Sequence, residues 1–167
     1  GEEDVTESSP VHLDAALNNI LQLLKTKDVS RQVQIRSKIA PNCPPVIANE
    51  HRLHQVIMNL ALNAMDANAE VIDIIAEKAP DADNMLLISI QDDGDGIAPE
   101  HRAQVLDPFF TTKKRGKGTG LGLAIANGII TKLGGRLWVA NDQAQGTCFC
   151  IQLPTVSEQK VPAFTPI

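Results

Sequence analysis

Between residues 12 and 27 apolar side chains recur at Leu13, Leu17, Ile20, Leu21 and Leu24, the three-and-four spacing of one helix face. Val33, Ile35 and Ile39, with Ser37 between them, alternate as a strand does. The breaker Pro41-Asn42-Cys43-Pro44-Pro45 separates that strand from a second helical stretch, predicted over 50–68. Two β-rich runs follow at 71–76 and 85–92, divided by the turn-like residues 79–84. Residues 93–118 have little periodicity, apart from a short helix expected near 99–105. A third helix is predicted over 119–133, ended by Gly134-Gly135, and strands near 136–140 and 147–153 close the pattern. Residues 1–10 and 156–167 lack periodicity and are expected to be flexible tails, leaving 11–155 as one domain. Mixed helices and strands, with hairpins at 71–92 and 136–153, predict an α+β fold: a two-layer sandwich with helices on one face of a mixed sheet.

On the second helix Gln55, Asn59, Asn63 and Asp66 fall within an arc of roughly 80°. Leu53, Val56, Ile57, Leu60 and Ala64 fill the opposite face, and Met58 and Leu62 flank the polar line. An amphipathic helix always has a solvent face, but such faces favour Glu, Lys and Arg. Asparagine is a poor helix former, and two of them four apart suggest that their amide oxygens are wanted. Oxygens at that spacing can ligate a hard cation such as Mg²⁺, which completes its shell with water and phosphates.

In the run Leu86, Ile88, Ile90, Asp92 the carboxylate shares the parity of three apolar side chains, which turns it toward the buried side. A buried charge is costly unless it is hydrogen-bonded, so Asp92 needs a donor. Gly94 and Gly96 follow it in Asp92-Asp93-Gly94-Asp95-Gly96-Ile97, and their lack of bulk would let the backbone approach a flat ligand. A tight turn with a solvated aspartate fits the same residues.

The stretch 107–123 is the most unusual of the chain. Lys113, Lys114, Arg115 and Lys117 place four of the 15 basic residues within five positions, and Gly118-Thr119-Gly120-Leu121-Gly122-Leu123 then opens the third helix. Free N–H groups and the dipole of a helix N-terminus bind anions, and glycines let phosphate oxygens reach the backbone. The spacing is neither that of a Walker loop nor that of a dinucleotide fingerprint. A flexible, solvated loop is the alternative.

Composition narrows the picture. At 167 residues the chain is the length of one domain, and a net charge of −5 argues against general nucleic-acid binding. Cys43, Cys148 and Cys150 lack CxxC spacing and are expected to be reduced core thiols of a cytoplasmic protein. No apolar run approaches the roughly 20 residues of a membrane span. His51 and His54 have no third ligand placed to join them and are expected on the helix surface.

In order and spacing these pieces resemble the ATP-binding catalytic domain of sensor histidine kinases, within the superfamily that also holds DNA gyrase B, Hsp90 and MutL. Residues 54–64 are similar to its N box, 92–97 to its first glycine box, 107–113 to its F box and 118–123 to its second glycine box; the resemblance spans about residues 10 to 154. It implies the Bergerat sandwich with a long ATP lid, and ATP and Mg²⁺ as cofactors. Asn63 would be the Mg²⁺ ligand, and Asn59 and Lys113 would serve the chemistry. Asp92 would accept from the adenine amino group beside Gly94, Gly96 and Ile97. Phe109 and Phe110 would anchor the lid, Thr111, Thr112 and Lys113 would approach the triphosphate, and Gly118, Thr119, Gly120, Leu121, Gly122 and Leu123 would cradle it. Asp66 stands where many members have a phosphate-contacting Lys, as expected of the branch resembling nitrogen and dicarboxylate sensors, while Asp93 and Ala124 replace the commoner Asn and Ser.

The implied activity is transfer of the γ-phosphoryl group of ATP to a histidine; the rival is an ATP-driven switch of the gyrase, MutL or Hsp90 type. None of His12, His51, His54 and His101 has the phosphoacceptor context, so the acceptor belongs to another domain. The partners implied are the dimerisation and phosphoacceptor domain of a longer kinase, of a kind that a membrane can anchor, and through it a response-regulator receiver domain. The isolated domain is expected to be monomeric, with no nucleic-acid or direct membrane contact.

Overall fold

The computed structural model describes residues 7–27, 33–107, 121–140 and 145–156. Its elements run β1 (Ser9–Val11), α1 (Leu13–Lys27), β2 (Gln34–Ile39), β3 (Val46–Ala48), α2 (Glu50–Asp66), β4 (Val71–Lys78), β5 (Met85–Asp92), a 3₁₀ turn (Pro99–His101), α3 (Gly122–Lys132), β6 (Arg136–Val139) and β7 (Thr147–Pro154). Five strands form one mixed sheet in the order β2-β4-β5-β7-β6, with β2 parallel to β4 and the other pairs antiparallel. β1 and β3 form a separate two-stranded ribbon.

Alternation in the central strands decides which face is covered. Ile72, Ile74 and Ala76 of β4, Leu86, Ile88 and Ile90 of β5, and Phe149, Ile151 and Leu153 of β7 are buried in one core with Leu17 and Ile20 of α1, Leu53, Val56, Ile57 and Leu60 of α2, and Ala126 and Ile130 of α3. This is the α+β sandwich that the sequence predicts. Burying a Leu or Ile side chain contributes roughly 1.5–3 kcal/mol, so the stripe on α2 alone accounts for much of its attachment. Asn49 caps α2, its Oδ1 accepting from Arg52 N at 2.9 Å while its Nδ2 donates to Glu7 O at 3.2 Å.

Three expectations need correction. Ser9 and Pro10, assigned to a tail, belong to β1, held by Val46–Ala48 across the ribbon. At the other end, Val156 N donates to Pro45 O at 2.9 Å. The helix expected near 99–105 is a three-residue 3₁₀ turn followed by turns. Cys148 and Cys150 are free and buried, as expected of reduced core thiols, opposite Gln91 and Ser89 on the sheet face turned away from the helices.

Candidate functional site

α2 positions both halves of the site. At its C-terminal end the carbonyl of Ala67 accepts from Asp95 N at 2.8 Å, and Asn68 Nδ2 donates to Asp95 Oδ2 at 2.7 Å. These bonds draw the loop after β5 against the helix end. A Cβ at Gly94 would lie 2.5 Å from Ala67 O, so glycine there serves this close approach of two protein segments rather than access for a ligand. Two turns earlier, Asn59 Nδ2 donates to Gly122 O at 3.2 Å and ties the start of α3 to the same helix. The carboxamide oxygen of Asn59 is then the atom with ligating capacity.

Asp92 ends β5 with its side chain on the helix-facing side, 6% exposed, as its parity with Leu86, Ile88 and Ile90 predicts. Its Oδ1 accepts from Gly94 N at 2.8 Å. Burial pushes the carboxyl above its ordinary range; the N–H groups of Gly94 and Thr147 pull it back in part, and the charges of Asp93 and Asp95 push it up further. A raised folded-state value means that ionisation costs the fold stability as pH rises through it. Asp92→Asn should therefore raise the melting temperature at neutral pH, and the gain should vanish on acidification, once Asp92 itself is protonated. Thermal melts of both proteins between pH 4 and 8 check this; a gain independent of pH would contradict it.

Asp93 behaves in the opposite way. Its exposed Oδ1 accepts from Val71 N at 2.9 Å and Glu70 N at 2.8 Å, and these bonds hold its carboxyl below the usual range. Asp93 thus fastens the loop to the start of β4, a structural use that the sequence motif did not suggest. Gly96, at φ +81°, would bring a Cβ to 3.2 Å from Gly146 O, and Gly146, at φ +76°, would drive one into the carbonyl of Asp92. Three backbone segments therefore meet beside Asp92, and Gly146 is a site-forming residue for which glycine is mandatory.

Asn63 is half-buried one turn before Ala67, and Asp66 beyond it is exposed. Ile97 is half-buried and packs against the core. Leu121, Gly122 and Leu123 are half-buried around the α3 N-terminus; Leu121, the N-cap residue, has no side-chain acceptor, so the first-turn N–H groups are of the kind that anions satisfy. The structure thus brings together Asn59, Asn63, Asp92, Gly94, Gly96 and Leu121–Leu123 around α2. Phe109, Phe110, Thr111, Thr112, Lys113, Gly118, Thr119 and Gly120 lie outside the described residues. Of the histidines, His51 is exposed as expected, while His54 is half-buried: its Nε2 is covered and has no hydrogen-bond partner among the described residues, 3.9 Å from Glu50 Oε1.

Residues 48–157 match the family of histidine kinase-, DNA gyrase B- and HSP90-like ATPases, a span that takes in α2, the loop after β5 and the α3 N-terminus. The chain belongs to this family. Among its members, sensor histidine kinase ZraS of Escherichia coli (strain K12) is 36% identical over 91% of the chain and 32% of its own length. Sensor kinase CckA of Brucella abortus (strain 2308) is 32% identical over 88% of the chain and 17% of its own length. The chain thus spans about a third or less of these relatives. The catalytic domain of histidine kinase ThkA superposes with a TM-score of 0.76 at 29% identity, covering 90% of the chain and 97% of that domain. Full-length ShkA in complex with AMPPNP superposes with a TM-score of 0.77 at 27% identity, over 89% of the chain and 31% of ShkA. In this ATPase family the fold is therefore that of a histidine kinase catalytic domain. No helix among the described residues is long and apolar enough to cross a membrane.

Proposed function

We propose that the chain binds Mg-ATP along α2 and donates the γ-phosphoryl group to a histidine on a separate dimerisation domain of a longer sensor kinase, which passes it to a response regulator. The observation that carries this reading is Asp92: a buried carboxylate whose protein donors are backbone N–H groups matches the exocyclic amine of adenine, and binding it offsets the desolvation of the charge. The ATP analogue held by ShkA supports the same ligand class. Described residues provide no group of three or more His, Cys, Asp or Glu for a metal. Mg²⁺ fits nonetheless, since it is commonly held by one or two protein oxygens, water and substrate phosphates, and Asn63 supplies such an oxygen. When bound, the ion neutralises phosphate charge. The chain's own part is to orient: Asp92 reads the base, the α3 N-terminus faces the phosphates, and Asn59 keeps that terminus in place.

A water-activating base would stand four residues before Asn63 in a hydrolysing relative of the gyrase type. Here that residue is Asn59, whose amide donates to Gly122 O and has no basic atom. This favours transfer over hydrolysis. In the reaction a histidine ring nitrogen forms the new bond to phosphorus as the bond to the bridging oxygen of ADP breaks, a step that depends chiefly on positioning and charge neutralisation. The test is to mix the domain with a histidine-bearing dimerisation fragment and γ-labelled ATP. Acid-labile, base-stable label on the fragment is expected; free phosphate as the sole product would replace this reading with an ATP-driven switch.

A further inference from the structure

α2 is stopped by two backbone bonds, Asn68 N donating to Met65 O and Ala69 N to Ala64 O, each at 3.1 Å. A stop of this kind needs one residue in the left-handed region, and Asn68, at φ +66°, is that residue. Glycine is the usual choice there, so the stop alone does not call for a side chain. The side chain of Asn68 has a use of its own: Nδ2 donates to Asp95 Oδ2 at 2.7 Å, across 27 positions of chain.

That bond completes the docking of the loop after β5 onto the turn between α2 and β4. Asp93 N donates to Val71 O at 3.3 Å, Asp93 Oδ1 accepts from the N–H groups of Glu70 and Val71, and Asp95 N donates to Ala67 O at 2.8 Å. The anchors therefore fall on Asp93 and Asp95, on either side of Gly94. The N–H of Gly94 is the one aimed at Asp92 Oδ1, at 2.8 Å. A peptide held on both flanks keeps its direction, and its N–H then fixes the rotation of the carboxylate that accepts from it. Of these anchors only Asn68–Asp95 joins two side chains, and both residues are exposed. It can be changed without disturbing the core.

We propose that Asn68 is a positioning residue for base recognition: through Asp95 it holds the loop that aims the Gly94 N–H at Asp92, and so sets how that carboxylate meets the amino group of adenine. The proposal rests on the functional reading above, in which Asp92 reads the base. Asn68 acts through the loop and touches no ligand.

An exchange of partners tests it. Asn68→Gly keeps the helix stop and removes the bond, while Asn68→Asp keeps a residue that tolerates positive φ but sets two carboxylates against each other. In titrations with ATP and with GTP, each variant should bind ATP roughly five- to tenfold more weakly, the worth of one net hydrogen bond, and GTP should lose less. The ratio between the nucleotides therefore falls. Asn68→Asp combined with Asp95→Asn restores an amide–carboxylate pair with the partners reversed. This double variant should return ATP affinity and the ratio to within about twofold of the unaltered domain. An unchanged ratio in the single variants, an equal loss for both nucleotides, or an exchange that restores nothing overturns the positioning role. Should Asn68→Asp not fold, Asn68→Gly and the exchanged pair decide by the same criteria. An unaltered domain with no preference for ATP would instead overturn the reading of Asp92, and this proposal with it.

Discussion

Replacing Asp92 by alanine should weaken ATP binding much more than GTP binding and remove most of the discrimination between them. The carboxylate sits at the buried end of β5, where it can accept from the amino group of adenine. Guanine presents a carbonyl at that place, so two acceptors would face each other. The lost charge-assisted hydrogen bond costs about 1.5–3 kcal/mol. A factor of at least roughly ten in favour of ATP follows for the unaltered domain, since 1.4 kcal/mol is tenfold. Paired titrations of both nucleotides on both proteins, at one magnesium concentration, measure it. A variant that keeps the original ratio would show that Asp92 does not read the base.

A second large effect is expected at Gly146. Its φ of +76° costs an L-residue about 1–2 kcal/mol. The added methyl would also overlap the carbonyl of Asp92, so β7 or the end of β5 must shift. Gly146→Ala should lose about 3 kcal/mol or more, a large part of a stability of roughly 5–15 kcal/mol, and ATP affinity should fall with it because Asp92 moves. Gly128→Ala is the contrast: that residue is on α3 with no atom within 4 Å of the new methyl, and the change should stabilise by roughly 0.5–1 kcal/mol. Denaturant unfolding of both variants checks the pair, and similar values for the two would refute the steric argument.

Much of this was legible in the residues themselves because the core obeys simple periods. The parity of Leu86, Ile88, Ile90 and Asp92 predicted a buried carboxylate, and the α2 stripe predicted which side of the helix faces the sheet. What escaped were features made by distant segments. β1 and β3 have three residues each and exist because they pair with one another across 35 positions of chain, which no local pattern encodes. Gly94 reads as an opening for a ligand, yet its neighbour is the carbonyl of Ala67; Asp93 reads as a loop charge, yet it fastens the start of β4. Cys148 and Cys150 read as core thiols and are buried; strand parity counted from Phe149 adds only that they lie on the face turned away from the helices.

The attachment of both halves of the site to one helix makes α2 a measuring rod. From Asn59, which holds the α3 start, to Ala67, which holds the loop after Asp92, is eight residues. At 1.5 Å per residue that is about 12 Å, fixed by the helix rather than by any loop. On the proposed reading, a ligand would be selected by length as well as by chemistry, because one too short to reach from Asp92 to the α3 terminus would forfeit one end. A single residue inserted between these anchors would lengthen the rod by about 1.5 Å and twist its ends by about 100°, uncoupling two sites that each remain locally intact.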